Sequence, residues 1–166
     1  ALRIECYGTS DELNAIFGKI RTLCELSPNP EIKFYTTLLE ELQNALFDLG
    51  SILAVSDSTP MSDDRINTQS IKNLEQSIDD LNESLPALKS FTIPGGSLLN
   101  CEAHLARTVC RRLERLMIRL KESESVPSSA LIYINRLSDF LFVFSRRVIQ
   151  QENLPEYLWQ RPLQKK

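Results

Sequence analysis

The chain has 166 residues, 42% hydrophobic and 25% charged, with a formal net charge of −3, the make-up of one soluble globular domain with enough apolar surface for a core. The slight acidic balance excludes a global basic field for nucleic acid or an acidic membrane, so any anion site must come from a local cluster. No apolar run approaches the ~18 residues of a membrane span, and the four cysteines, Cys6, Cys24, Cys101 and Cys110, include no CxxC pair and have one histidine to help them, which argues against structural zinc and for reduced thiols.

Taken in order, Thr9-Ser10-Asp11-Glu12 reads as a helix start, Thr9 and Glu12 having capping-box spacing. Leu13, Ile16, Phe17, Ile20, Leu23 and Cys24 continue it with helical periodicity up to Ser27-Pro28-Asn29-Pro30. A second helix is expected over 31–54 with Phe34, Leu38, Leu42, Ala45, Leu49 and Leu53 as its buried stripe. A surface loop follows over 55–64, then a polar outer helix over 67–84 carrying Ile71, Leu74, Ile78, Leu81 and Leu85. Phe91-Thr92-Ile93-Pro94-Gly95-Gly96-Ser97 is a bend leading into a fourth helix, 98–122, with Ser97 as N-cap and Ala106, Val109, Cys110, Leu113, Met117 and Leu120 buried. A fifth helix, 129–151, turns Leu131, Ile134, Leu137, Ser138, Leu141 and Phe142 inward, and the segment 153–166 with Trp159 crosses the surface. The expected fold is all-α: one domain, residues 1–166, an up-and-down five-helix bundle.

The densest polar feature lies on the fourth helix. Arg107, Arg111 and Glu114 share a face at i, i+4, i+7 spacing beside the apolar stripe, where guanidinium forks suit a polyphosphate; the same pattern also fits a solvated, salt-bridged face. Asn135 and Asp139 are i, i+4 neighbours among apolar residues, either part of a site or a hydrogen-bonded pair between helices. Asp11 and Glu12 read on their own as charges complementing a helix N-terminus. Phe91 before a rigid turn could face a large flat ligand, or belong to an ordinary connection. His104, three residues before Arg107, is a metal ligand or a hydrogen-bonded structural residue. Neither a P-loop nor a G-x-G-x-x-G fingerprint occurs.

Four blocks in order, Tyr7-Gly8-Thr9-Ser10-Asp11-Glu12-Leu13-Asn14, Phe91-Thr92-Ile93-Pro94-Gly95-Gly96, the run from His104 to Arg115, and the run from Tyr133 to Phe142, resemble the trimeric ATP:cob(I)alamin adenosyltransferases of the propanediol-utilisation type. The resemblance implies a homotrimer with active sites between subunits, using ATP with Mg²⁺ on its phosphates and cobalamin as the second substrate. It implies that ATP meets Arg111, Arg112, Glu114, Arg115 and Asn135, with no metal ligand assigned to the protein. Arg107 matches an arginine that pairs with an aspartate, here Asp11, across the subunit boundary. Phe91 matches the aromatic that keeps the lower axial ligand off cobalt, and Asp139 a supporting acid near the site.

The family also carries a Thr- and Gly-rich loop over ATP ahead of the Tyr-Gly block. Here it is expected upstream of residue 1, the other reading being a protein without that nucleotide contact. The implied reaction is displacement of triphosphate from the 5′ carbon of ATP by cobalt(I), in the cytoplasm or, in a eukaryote, the mitochondrial matrix. A reductase and an adenosylcobalamin-dependent enzyme are the implied protein partners. The competing readings are a non-catalytic helical scaffold and a nucleotide-binding regulator.

Overall fold

The computed structural model describes residues 1–55 and 64–162. Helix α1 spans Leu2–Leu26, α2 is the single turn Pro30–Lys33, and α3 spans Tyr35–Ala54; α4 covers Thr68–Asn82, α5 Leu98–Lys121 and α6 Ser128–Gln151. The five long helices are those expected from the periodicity. Most of the loop expected over 55–64, residues 56–63, lies outside the described residues.

Two expectations near the front are corrected. Thr9–Glu12 does not start a helix, because α1 begins at Leu2 and runs through it. Cys6, Ser10, Leu13, Phe17, Ile20 and Cys24 form one unbroken buried stripe. The Ser10 hydroxyl bonds the Leu46 carbonyl on α3 at 3.1 Å, so the polar residues that look like a cap instead join two helices. The expected second helix is also interrupted. Asn29 caps α2, its side chain accepting from the Glu31 amide, and Pro30 opens the turn, where a proline loses no hydrogen bond. The chain then resets at Phe34, which is 82% exposed rather than part of the stripe. Past the break the stripe is Leu39, Leu42, Leu46, Leu49 and Leu53.

Helix α1 packs on α3 and α5, α5 on α6, and α6 on α4. The shared core includes Phe17, Leu49, Leu113, Met117, Leu137 and Phe140, with Phe140 stacked on Phe144 at 5.6 Å. Burying a side chain of this size contributes roughly 1.5–3 kcal/mol. Helix α4 buries only Leu74 and Leu81 and lies on the outside, as expected.

The bend before α5 is held by its own sequence. Ser97 caps the helix by accepting from the Asn100 amide. Asn100 is buried: its Oδ1 accepts from the Gly95 amide and its Nδ2 donates to the Ser145 carbonyl. Gly95 and Gly96 have φ of 148° and 90°, and a Cβ on Gly95 would sit 2.7 Å from the Tyr157 ring. The segment after α6 returns across this bend. Ile93 donates to the Tyr157 carbonyl and Trp159 to the Phe91 carbonyl, each at 2.8 Å, and the Arg146–Glu156 ion pair at 2.7 Å clamps it to α6.

Candidate active site

Helix α5 lies between α1 and α6 and sends its polar residues to both. Toward α1, Arg112 pairs with Glu12. Toward α6, Glu114 accepts from Asn135 Nδ2 at 2.6 Å, while Asn135 Oδ1 accepts from Arg136 at 2.5 Å. Arg136 in turn reaches Asp139 at 3.3 Å. Glu114 and Asn135 are half-buried, and this chain of donors and acceptors fixes the acid end of the strip. Arg111 is the opposite case. Its contact with Glu114 is 3.9 Å long and half of its side chain is in solvent, so its planar fork is free to take another anion. Arg115 is exposed on the same helix.

One turn before Arg111, Arg107 is half-buried. Burial, and then the Arg111 charge beside it, pull its guanidinium below the ordinary value. Two cations held this close on one helix favour an anionic neighbour. Arg107 also lines an open cleft of about 700 Å³, whose walls include Phe91, Phe142, Trp159 and Arg161, a size suited to a small-molecule site. Phe91 is 78% exposed and meets the Trp159 ring edge-on, with centroids 6.2 Å apart. An apolar plate beside a guanidinium row can hold a flat apolar body against a charged one.

His104 lies beneath Arg107 at the inner side of α5. It is buried, and its Nδ1 accepts from Arg107 Nε at 3.4 Å. Burial first, then the Arg107 charge, hold the imidazole down to about 4, with Glu156 acting in the opposite sense. Of the two readings of this histidine, the structural one fits. Among the described residues no group of three or more His, Cys, Asp or Glu could hold a metal ion. Cys6, Cys24 and Cys110 are buried, burial pushing the Cys24 thiol up to about 12, so these three are packing residues rather than nucleophiles.

The sequence-predicted residues therefore fall into three places. Arg107 and Phe91 share the cleft. Arg111, Glu114, Asn135 and Asp139 form the strip that continues from it, with Arg112 and Arg115 on its outer side. Asp11 stands apart, exposed between α1 and α3 beside Tyr7, Asn14 and Phe47, and no hydrogen bond or ion pair joins it to Arg107 within the chain. Trp159, Phe142 and Arg161 complete the cleft without having been predicted. Trp159 reaches it only through long-range pairing with Phe91, which has no local signature. A second cavity of about 600 Å³, lined by Phe34, Tyr35, Leu81 and Arg147, contains none of the predicted site residues.

The family model described as cobalamin adenosyltransferase matches residues 1–148. A corrinoid adenosyltransferase of Bacillus subtilis is 38% identical over 97% of this chain and 81% of its own length. A cobalamin adenosyltransferase of Cupriavidus metallidurans is 35% identical over 97% and 82%. Among solved structures, an arginine-to-lysine variant of the PduO-type adenosyltransferase from Lactobacillus reuteri, complexed with ATP, superposes with a TM-score of 0.87 at 34% identity, covering 96% of this chain and 88% of that one. A phenylalanine-to-alanine variant of the same enzyme, complexed with cobalamin and ATP, gives 0.83 at 36% identity, covering 97% and 87%.

Proposed function

This chain belongs to the cobalamin adenosyltransferase family, and from that premise we propose how its own residues divide the work. The reaction transfers the 5′-deoxyadenosyl group of ATP to cob(I)alamin, giving adenosylcobalamin and triphosphate. Cobalt(I) donates an electron pair to the 5′ carbon, the carbon–oxygen bond breaks, and triphosphate leaves with the negative charge. The corrinoid supplies the nucleophile. The protein has to align the two reactants and stabilise the leaving group.

Arg111 takes the triphosphate. The supporting observation is its position: it is half-exposed at the end of an otherwise satisfied polar strip, with only a 3.9 Å contact to Glu114. Arg112 and Arg115 extend the positive surface, and Glu114 with Asn135 provides paired acceptors and donors for the nucleoside end. Asp139, tied to Asn135 through Arg136, keeps that end in register. Phe91 holds the corrinoid face and excludes water and the lower axial ligand, which makes cobalt easier to reduce. Mg²⁺ enters with the ATP phosphates as part of the substrate. Arg107 completes its charge balance with Asp11 of a neighbouring copy, in a homotrimer whose sites lie between subunits; the separation of these two residues within one chain supports this. The protein works in the cytoplasm, fed by a reductase and serving an adenosylcobalamin-dependent enzyme. No helix among the described residues is long and apolar enough to cross a membrane.

The test is an anaerobic assay with MgATP and cob(I)alamin that follows the alkyl–cobalt spectrum. Arg111→Ala is expected to lower kcat by roughly 100-fold or more with helicity unchanged. Turnover within about twofold of wild type, a difference of only about 0.4 kcal/mol in the barrier, would remove Arg111 from the site.

A further inference from the structure

We propose that His104 is the positioning residue for Arg107, its Nδ1 lone pair holding the guanidinium toward the Phe91 cleft. The inference rests on the reading of Arg107 given above and extends it to a residue outside the site. His104 and Arg107 are one turn apart on α5, so their side chains share a face. The imidazole is 3% exposed and cannot touch a substrate, whereas Arg107 lines the cleft. The bond runs from Arg107 Nε to His104 Nδ1. It therefore uses the guanidinium nitrogen nearest the aliphatic stem, leaves both terminal nitrogens free for an anion, and fixes the plane of the fork.

Only a neutral imidazole can accept this bond. The charged groups around it are Arg107 on its own helix and Glu156 on the returning C-terminal segment, itself neutralised by Arg146 of α6. The surroundings keep the ring uncharged, and acceptance at Nδ1 puts the proton on Nε2. That nitrogen is buried without a hydrogen-bond partner. A histidine serving only to fill space would not require this tautomer; the other buried polar residues of α5, Asn100 and Glu102, are likewise engaged, Asn100 with Gly95 and Ser145 and Glu102 with Lys19.

Asparagine and glutamine separate the roles. The asparagine amide oxygen can take the place of Nδ1, while the glutamine amide extends to the place of Nε2. We expect His104→Gln to lower kcat/KM for ATP about 10- to 100-fold, as for a lost hydrogen bond to a charged group, with helicity retained, and His104→Asn to restore it. On an Arg107→Ala background, His104→Gln should have no further effect, because the two act as a unit. Since His104 is the only histidine in the chain, imidazole ¹⁵N shifts of the full wild-type chain read its tautomer directly, whether or not any variant folds. They should show an unprotonated Nδ1 that moves on Arg107→Ala. A protonated Nδ1, an equally active glutamine variant, or full additivity with Arg107→Ala would each overturn the inference. An impaired Arg107→Ala beside a fully active His104→Gln sinks this proposal alone, whereas a fully active Arg107→Ala removes the role assigned to Arg107 itself.

Discussion

At the scale of single residues, the site depends on which polar groups are satisfied and which are left over. Glu114, Asn135, Arg136 and Asp139 satisfy one another, Arg112 is taken by Glu12, and Arg111 retains free capacity. Much of this was legible: the i, i+4, i+7 spacing of Arg107, Arg111 and Glu114 predicts a shared face, and that face exists. The identity of each partner was not, because Glu12 and Asn135 lie on other helices and charge pattern along one helix does not select between them. His104 carries the clearest pH consequence. Its folded value of about 4 lies below the ordinary 6.5, so between these values the unfolded chain takes up a proton that the folded chain refuses. The sign is that of a depressed histidine: stability is fully present above about 6.5 and is lost as pH falls toward 4. Between pH 7 and pH 5 the loss from this residue is roughly 2 kcal/mol. Urea unfolding at the two pH values should show it, and His104→Asn should reduce the difference by about that amount. An unchanged difference would mean that the imidazole is not kept neutral by its surroundings.

At the scale of elements, caps and breaks decide what the helices present. Ser97 was recognisable as an N-cap because capping is local. Thr9–Glu12 has the same local signature and is not a cap, because Ser10 finds its partner on α3 and the apolar stripe extends back to Cys6. Phe34 was misplaced for a related reason: the break at that residue changes the phase of the stripe, and phase is not visible in composition. The Pro94-Gly95-Gly96 bend shows what a turn can position. Its glycines let the returning segment pass close enough for Trp159 to meet Phe91, so Gly95→Ala should push Tyr157 away at a cost of about 1–3 kcal/mol. Trp159 is the only tryptophan, and its emission should shift red as it leaves Phe91, with weaker corrinoid binding. Identical emission and unfolding midpoint would show that the bend does not hold the cleft wall in place.

At the scale of the whole molecule, the all-helical bundle followed from periodicity, since five amphipathic segments with few glycines have few other ways to bury their stripes. On the proposed function, one chain does not contain the complete site. Asp11 sits beside exposed Phe47 between α1 and α3, while Arg107 shares α5 with Leu105, half-exposed on its outer side. If these two different faces meet as proposed, the contact is head-to-tail, and it closes into a ring when the rotation allows. Such an arrangement is expected from the family resemblance and not from the charge pattern, because within the pattern nothing distinguishes a pair across subunits from two solvated charges.

The most direct measurement is activity in mixed trimers. Asp11→Ala and Arg107→Ala are each expected to be nearly inactive alone in the anaerobic assay. When the two are co-expressed in equal amounts, about a quarter of head-to-tail interfaces carry a native Asp11 opposite a native Arg107. The account predicts that turnover returns to about that fraction of wild type. Mixed trimers as inactive as either parent would contradict a site shared between copies.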